Sequence, residues 1–285
     1  MRVLHDTVAE LGEGAFWHPE RQAFFWFDIL HKRLHAVQAG TLRVWEMPEI
    51  ASALGWVDRD RVVLSTETGL HLFDLETGEK RQLAAIGADD RSSRSNDGRA
   101  DPWGGFWASV MGRRAEAGRG EIWRWWEGEL RQVVNGLTIP NAICFDLSLA
   151  RAYYADTARG IVWKQPLDPK TGWPEGVPDV FLDLSSEGLN PDGAVVDAEG
   201  RFWNAQWGAG RVAIYDPDGR FLDALFVPAR QPSCPAFGGP GYRHLHVTTA
   251  WEGMSQAERA ADPNAGKSFV GEVEAQGLPE PRVRV

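Results

Sequence analysis

Residues 190–207 read NPDGAVVDAEGRFWNAQW, and the order of residue types in that stretch decides the fold. A polar turn carrying a lone carboxylate, Asp192, comes first and an apolar run, AVV, follows. Next is an Asp-x-x-Gly phrase, which suits a tight turn with glycine at the positive-φ position. A second apolar run, FWNAQW, completes the outline of a β-hairpin. Nearly the same phrase recurs upstream: DPWGGFW at 101–107 stands against DAEGRFW at 197–203. Aligned on one residue of the first strand, units fall at Phe16, Trp56, Gly98, Ile143, Ala194 and Phe237, spaced by 40, 42, 45, 51 and 43. A second strand follows each anchor, as in AFFWFDI from Ala23, AYYAD from Ala152 and HLHVTT from His244. Third strands such as LHLFDL, EIWRWW and RVAIYD lead into further turns and a short fourth strand.

Six such units predict an all-β fold: a six-bladed β-propeller with four-stranded antiparallel blades around a central channel, residues 1–285 forming one domain. The first strand candidate, RVLHDTVAE, and the tail PRVRV have no partner in their own units, so one or both are expected to complete the last blade and remove its open edge. The segment 254–261, MSQAERAA, predicts a short helix with Ser255 as N-cap. Residues 86–96 read as a polar loop. The phrase DPDG at 216–219 lacks the downstream Glu and the helices of a calcium loop and predicts a hairpin turn.

Composition narrows the function. A hydrophobic fraction of 43% supports a sizeable core. Fourteen Trp against four Tyr suit the layers between packed sheets. The formal net charge of −10 argues against nucleic-acid or anionic-membrane partners. Cys144 and Cys234 are the only cysteines and are expected as two buried thiols. The N-terminus shows no secretory pattern, and no apolar run approaches the roughly 18 residues a membrane helix needs, so the expected location is cytoplasmic.

No G-x-S-x-G elbow, H-E-x-x-H, Walker A loop or S-x-x-K occurs. What remains is a polar residue shortly before the anchor in four units: Glu13, Asn96, Asn141 and Asp192. In a propeller the first strand of each blade lines the channel, so residues just ahead of it gather at one mouth. Glu13, Asn141 and Asp192 offer two carboxylates and a carboxamide oxygen, a set suited to a hard divalent cation such as Ca²⁺, Mg²⁺ or Mn²⁺, with Zn²⁺ or Fe²⁺ left open. Three protein ligands leave positions for water and substrate. His18 fits a blade face or turn better than the site.

These motifs resemble the SMP-30/gluconolactonase/regucalcin-like family of six-bladed propeller lactonases. The resemblance runs nearly end to end, through LGEGAFWHPE, RSNDGRADPWGGFWASVMG, PNAICFD, NPDGAVVDAEGRFWNAQWGAGRV and CPAFGG. It implies a metal held by Glu13, Asn141 and Asp192, the set that oxygen-ligand chemistry points to, and substrate contacts from Arg94 and Asn96. One departure stands out. Some members carry a substrate-contacting Glu three residues after the Met of the second motif, and here Met111 is followed by Gly112, Arg113 and Arg114, with Glu116 beyond.

The implied reaction is hydrolysis of a sugar lactone to its aldonic acid, with Asp192 as candidate general base. Ligation lowers a carboxylate's basicity, so activation of the water by the ion is the alternative. The other readings are a non-enzymatic Ca²⁺-binding regulatory propeller, or hydrolysis of a different ester at the same site. A monomer or weak homo-oligomer is expected. Trp203 reads as blade core, whereas Trp207 is balanced between core and a stacking wall for a sugar.

Overall fold

The structure, a computed structural model, describes residues 1–285 and is a six-bladed β-propeller. After β1 (Arg2–His5), blade 1 holds β2 (Gly12–His18), β3 (Ala23–Asp28), β4 (Arg33–Gln38) and β5 (Thr41–Glu46). Blade 2 holds β6 (Ala51–Trp56), β7 (Arg61–Thr66), β8 (Gly69–Asp74) and β9 (Lys80–Ala85). Blade 3 holds β10 (Ser93–Ala100), β11 (Phe106–Gly112), β12 (Gly120–Trp126) and β13 (Glu129–Leu137). Blade 4 holds β14 (Pro140–Asp146), β15 (Arg151–Asp156), β16 (Ile161–Pro166) and β17 (Asp179–Asp183). Blade 5 holds β18 (Asn190–Val196), β19 (Phe202–Trp207), β20 (Arg211–Tyr215) and β21 (Phe221–Phe226). Blade 6 is built from β22 (Pro232–Gly238), β23 (His244–Thr249) and β24 (Ser268–Glu272), with β1 as its outermost strand.

The ring closes through the N-terminal strand, whose Arg2 and Val3 pair with Val270 and Phe269. The tail takes a different course from a blade strand. It crosses the far end of the channel: Val283 N donates to Trp56 O and Arg284 N to Gly104 O. Glu280, buried there, receives a 2.9 Å bond from Arg99 Nη1. Residues 93–96 also depart from the loop reading, since β10 already begins at Ser93 and carries them into blade 3.

Six apolar clusters hold the blades, one at each interface. Phe16, Phe25 and Leu54 join blades 1 and 2, and Tyr153, Phe181 and Phe202 join blades 4 and 5. Trp107, Phe145 and Tyr154 fill the gap between blades 3 and 4, while Trp17, Phe24 and Trp26 pack against Cys234 and Ala236 between blades 6 and 1. The tryptophans thus serve mainly as the filling between sheets. Both cysteines are free and buried. The one α-helix, α1 (Gln256–Ala261), starts at a capping box in which Ser255 and Glu258 satisfy each other's backbone N–H. No helix is long and apolar enough to cross a membrane.

Candidate active site

Every inner strand has a β-bulge in its pairing with the second strand of its blade, and at nearly the same place. The register slips between Glu13 and Phe16, Ala51 and Ala53, Ser95 and Gly98, Asn141 and Cys144, Pro191 and Ala194, and Pro232 and Pro235. A bulge adds a residue on one strand, bends it and re-aims a side chain. Here it turns Glu13, Asn96, Asn141 and Asp192 into a common cavity of about 450 Å³ at the mouth where the inner strands begin. Gly14 takes φ 60°, and a Cβ there would run into the Ser52 carbonyl. Ala142 holds φ 56° without a glycine's freedom. Blades 2 and 6 carry serines at the bulge instead. Ser52 Oγ donates to Asn96 O at 2.5 Å and Ser233 Oγ to Gly12 O at 2.5 Å, tying the polar bulges to their neighbours.

A hydrogen-bond relay fixes the carboxamides. Arg94 Nη1 donates to Asn96 Oδ1 at 2.7 Å, and Asn96 Nδ2 to Asn141 Oδ1 at 2.9 Å and to Pro140 O at 3.0 Å. Asn141 Nδ2 donates to Thr157 Oγ1 at 2.8 Å, and that hydroxyl donates to Pro191 O at 2.6 Å. Thr157 therefore settles which end of the Asn141 carboxamide is oxygen and leaves that oxygen one further lone pair.

The carboxylates sit in the opposite condition. Asp192 is 3% exposed and its Oδ1 is buried without any partner. Burial raises its pKa well above the ordinary carboxylate value, and the charges of Glu13 and Asp97 add to the rise. Glu13 accepts a single bond, from Gly14 N at 3.1 Å, and burial, then the charge of Asp97, pushes it up to about 8. An orphaned buried oxygen beside a second crowded carboxylate and an oriented amide oxygen is a donor set that fits a hard divalent cation.

Sequence repeats located the inner-strand residues but passed over several others. Asp97 accepts from Ile143 N at 2.7 Å and Gly98 N at 2.8 Å, and places a further charge close to the pair. Thr157 and Glu252, and with them Trp207, which the sequence leaves balanced between core and sugar wall, line the cavity from the ends of second strands or just past them. Trp207 is thus a wall of the site, while Trp203 lies in a blade core with Nε1 bonded to Asp197. A signal existed: an antiparallel hairpin puts the end of its second strand beside the start of its first. His18 is remote, its Nε2 3.1 Å from Asp58 O.

The model of the SMP-30/gluconolactonase/LRE-like region matches residues 11–251. The chain belongs to this family. Over its whole length it is similar to the calcium-binding protein regucalcin from Agrobacterium tumefaciens strain C58, at 37% identity and a TM-score of 0.97, covering 97% of that chain. It is 34% identical to the L-arabinolactonase of Azospirillum brasilense, across 97% of this chain and 93% of that protein. It is 33% identical to the 6-deoxy-6-sulfogluconolactonase of Pseudomonas putida, across 95% of this chain and 94% of the relative. All five site residues reached from the sequence or its resemblance, Glu13, Arg94, Asn96, Asn141 and Asp192, together with Thr157 and Trp207, fall inside the matched span, and Glu252 stands just past its end.

Proposed function

We propose that this family member hydrolyses a sugar lactone to the aldonic acid, with a divalent cation held by Glu13, Asn141 and Asp192. The observation that carries the reading is the unpartnered, buried Oδ1 of Asp192 next to Glu13 in a cavity of lactone size. When bound, the cation supplies a Lewis acid beside the lactone carbonyl. Arg94 keeps Nε and Nη2 free of protein acceptors and would orient the substrate through them. Asn96 has both amide hydrogens committed, so it would meet a ring hydroxyl only as an acceptor at its remaining Oδ1 lone pair. Trp207 gives the ring an apolar face. The Asp192 carboxylate oxygen not engaged by the cation would take the proton of the attacking water as the new C–O bond forms, and that proton would pass to the ring oxygen as the ring C–O bond breaks. The sugar lactones opened by the named relatives support this class, and the reaction belongs to carbohydrate catabolism.

The test strips the protein with chelator, restores Ca²⁺, Mg²⁺, Mn²⁺ or Zn²⁺ singly, and follows ring opening with a pH indicator. Asp192→Asn and Glu13→Gln should each lose at least about a hundredfold in kcat/KM. Full metal-dependent turnover in both variants would refute the assignment. Metal binding without turnover of any lactone would favour a regulatory calcium-binding propeller, the reading that similarity to regucalcin supports.

A further inference from the structure

We infer that the lactone taken by this site carries a negatively charged group, a carboxylate, phosphate or sulfonate, at the end far from its carbonyl; this rests on the lactone reading above. The cavity is polarised. Its carboxylates, Glu13, Asp192 and Glu252, come from blades 1, 5 and 6, while its three guanidiniums, Arg94, Arg113 and Arg114, all come from blade 3 and the turn that follows β11. A bound divalent cation would take up Glu13 and Asp192, leaving Glu252 against three guanidiniums in the lining, with Glu67 and Glu116 just outside it pairing with Arg113 and Arg114.

None of the three guanidiniums is used up within the protein. Arg94 gives only Nη1, to Ser95 O at 2.9 Å and Asn96 Oδ1, and forms no ion pair although burial penalises its charge. Arg113 is anchored at the rim by Nε on Arg91 O at 2.9 Å and by Nη2 on Glu67, with Nη1 left over. Arg114 spends Nε on Glu116 Oε1 at 3.1 Å, is 87% exposed, and keeps both terminal nitrogens. A lactone whose carbonyl faced a cation held by Glu13 and Asp192 would extend across the mouth toward blade 3. Glu252 is the carboxylate left to face Arg94 once a cation holds Glu13 and Asp192, and a neutral hydroxyl would give the free Nε and Nη2 of Arg94 a weaker acceptor than an oxyanion does. An oxyanion meets the planar forks that guanidiniums present and gains charge-assisted bonds from them.

The experiment compares D-glucono-1,5-lactone with its 6-phosphate, 6-carboxylate and 6-sulfonate counterparts on metal-loaded protein at low ionic strength. At least one anionic lactone should show a kcat/KM about tenfold or more above the neutral one, carried by KM, as expected of one partly screened charge pair. The ratio should shrink toward one as salt approaches about 1 M. Arg114→Glu and, separately, Arg113→Gln should lower it by about fivefold or more. The order among the three anions identifies which group the site prefers. Calorimetric binding of 6-phosphogluconate against gluconate should reproduce the preference without turnover. A neutral lactone opened as well as every anionic one, with a ratio that Arg114→Glu leaves unmoved, overturns the inference and leaves lactone hydrolysis standing. Failure to open any lactone overturns the underlying reading as well.

Discussion

In chelator-stripped protein, the stability of this propeller should fall as pH rises through neutrality. Burial raises Glu13 from 4.5 to about 8, with help from the charge of Asp97, and raises Asp192 well above 3.8, with help from Glu13 and Asp97. An acid whose folded pKa lies above its unfolded value binds more protons folded than unfolded between the two, so the free energy of unfolding decreases with pH in that window. For Glu13 the window runs from 4.5 to about 8. At roughly 1.4 kcal/mol per pKa unit, the loss across it is on the order of 4–5 kcal/mol, and Asp192 acts in the same direction. A divalent cation needs both carboxylates ionised, so its binding releases protons and restores more stability at about pH 8 than at about pH 5. Urea unfolding of chelator-stripped and Ca²⁺-loaded protein across that range isolates the effect, because all other titrating groups are common to both forms. Calorimetry near pH 6.5 in two buffers of different ionisation enthalpy counts the protons, and about one to two are expected. A stability gap that stays constant within about 0.5 kcal/mol, with no protons released, would refute the reasoning.

Three further outcomes follow from the geometry. Thr157→Val keeps the shape but removes the hydroxyl that orients Asn141 and bonds Pro191 O, so metal affinity, measured by titration, should fall about 10–100-fold, with a loss of about 1–3 kcal/mol in folding stability from the groups left unpaired. Glu280→Ala leaves Arg99, 14% exposed, without its carboxylate at the far end of the channel; the urea midpoint should report a loss of about 3–5 kcal/mol, much of it recovered when Arg99 is also replaced by Met. Gly14→Ala sets a methyl against the Ser52 carbonyl at φ 60° and should cost about 1–3 kcal/mol by thermal unfolding, with weakened metal binding.

The blades were legible because their signals are local and repeated. DPWGGFW and DAEGRFW each close a hairpin from one loop and one apolar run, and a shared spacing needs no long-range contact to be seen. Ring closure was half legible. An unpaired apolar strand at the N-terminus needs a partner, and β1 takes the open edge beside β24. That leaves PRVRV without an edge to join, and its backbone instead bonds Trp56 and Gly104, residues of blade 2 and of the β10–β11 turn. No periodicity in five residues distinguishes those two ends.

The site was legible only as far as one strand per blade. Strict alternation along RSNDGRA would put Asn96 and Asp97 on opposite faces. The slip between Ser95 and Gly98 breaks the alternation, so Asn96 joins the relay to Asn141 while Asp97 keeps its charge near Glu13 and Asp192. The same slip in all six inner strands explains why polar residues at matched offsets converge, and why residues one strand away complete them. Wherever a bulge aims a side chain inward, its own carbonyl loses ladder pairing and needs another donor. Ser52, Ser109, Thr157 and Ser233 supply hydroxyls to Asn96, Asp97, Pro191 and Gly12. The proposed cation site and the serines and threonine around it are therefore one device. The bulges create both the convergent ligands and the carbonyls that those hydroxyls must satisfy, which is why Thr157 belongs to the site as much as Asn141 does.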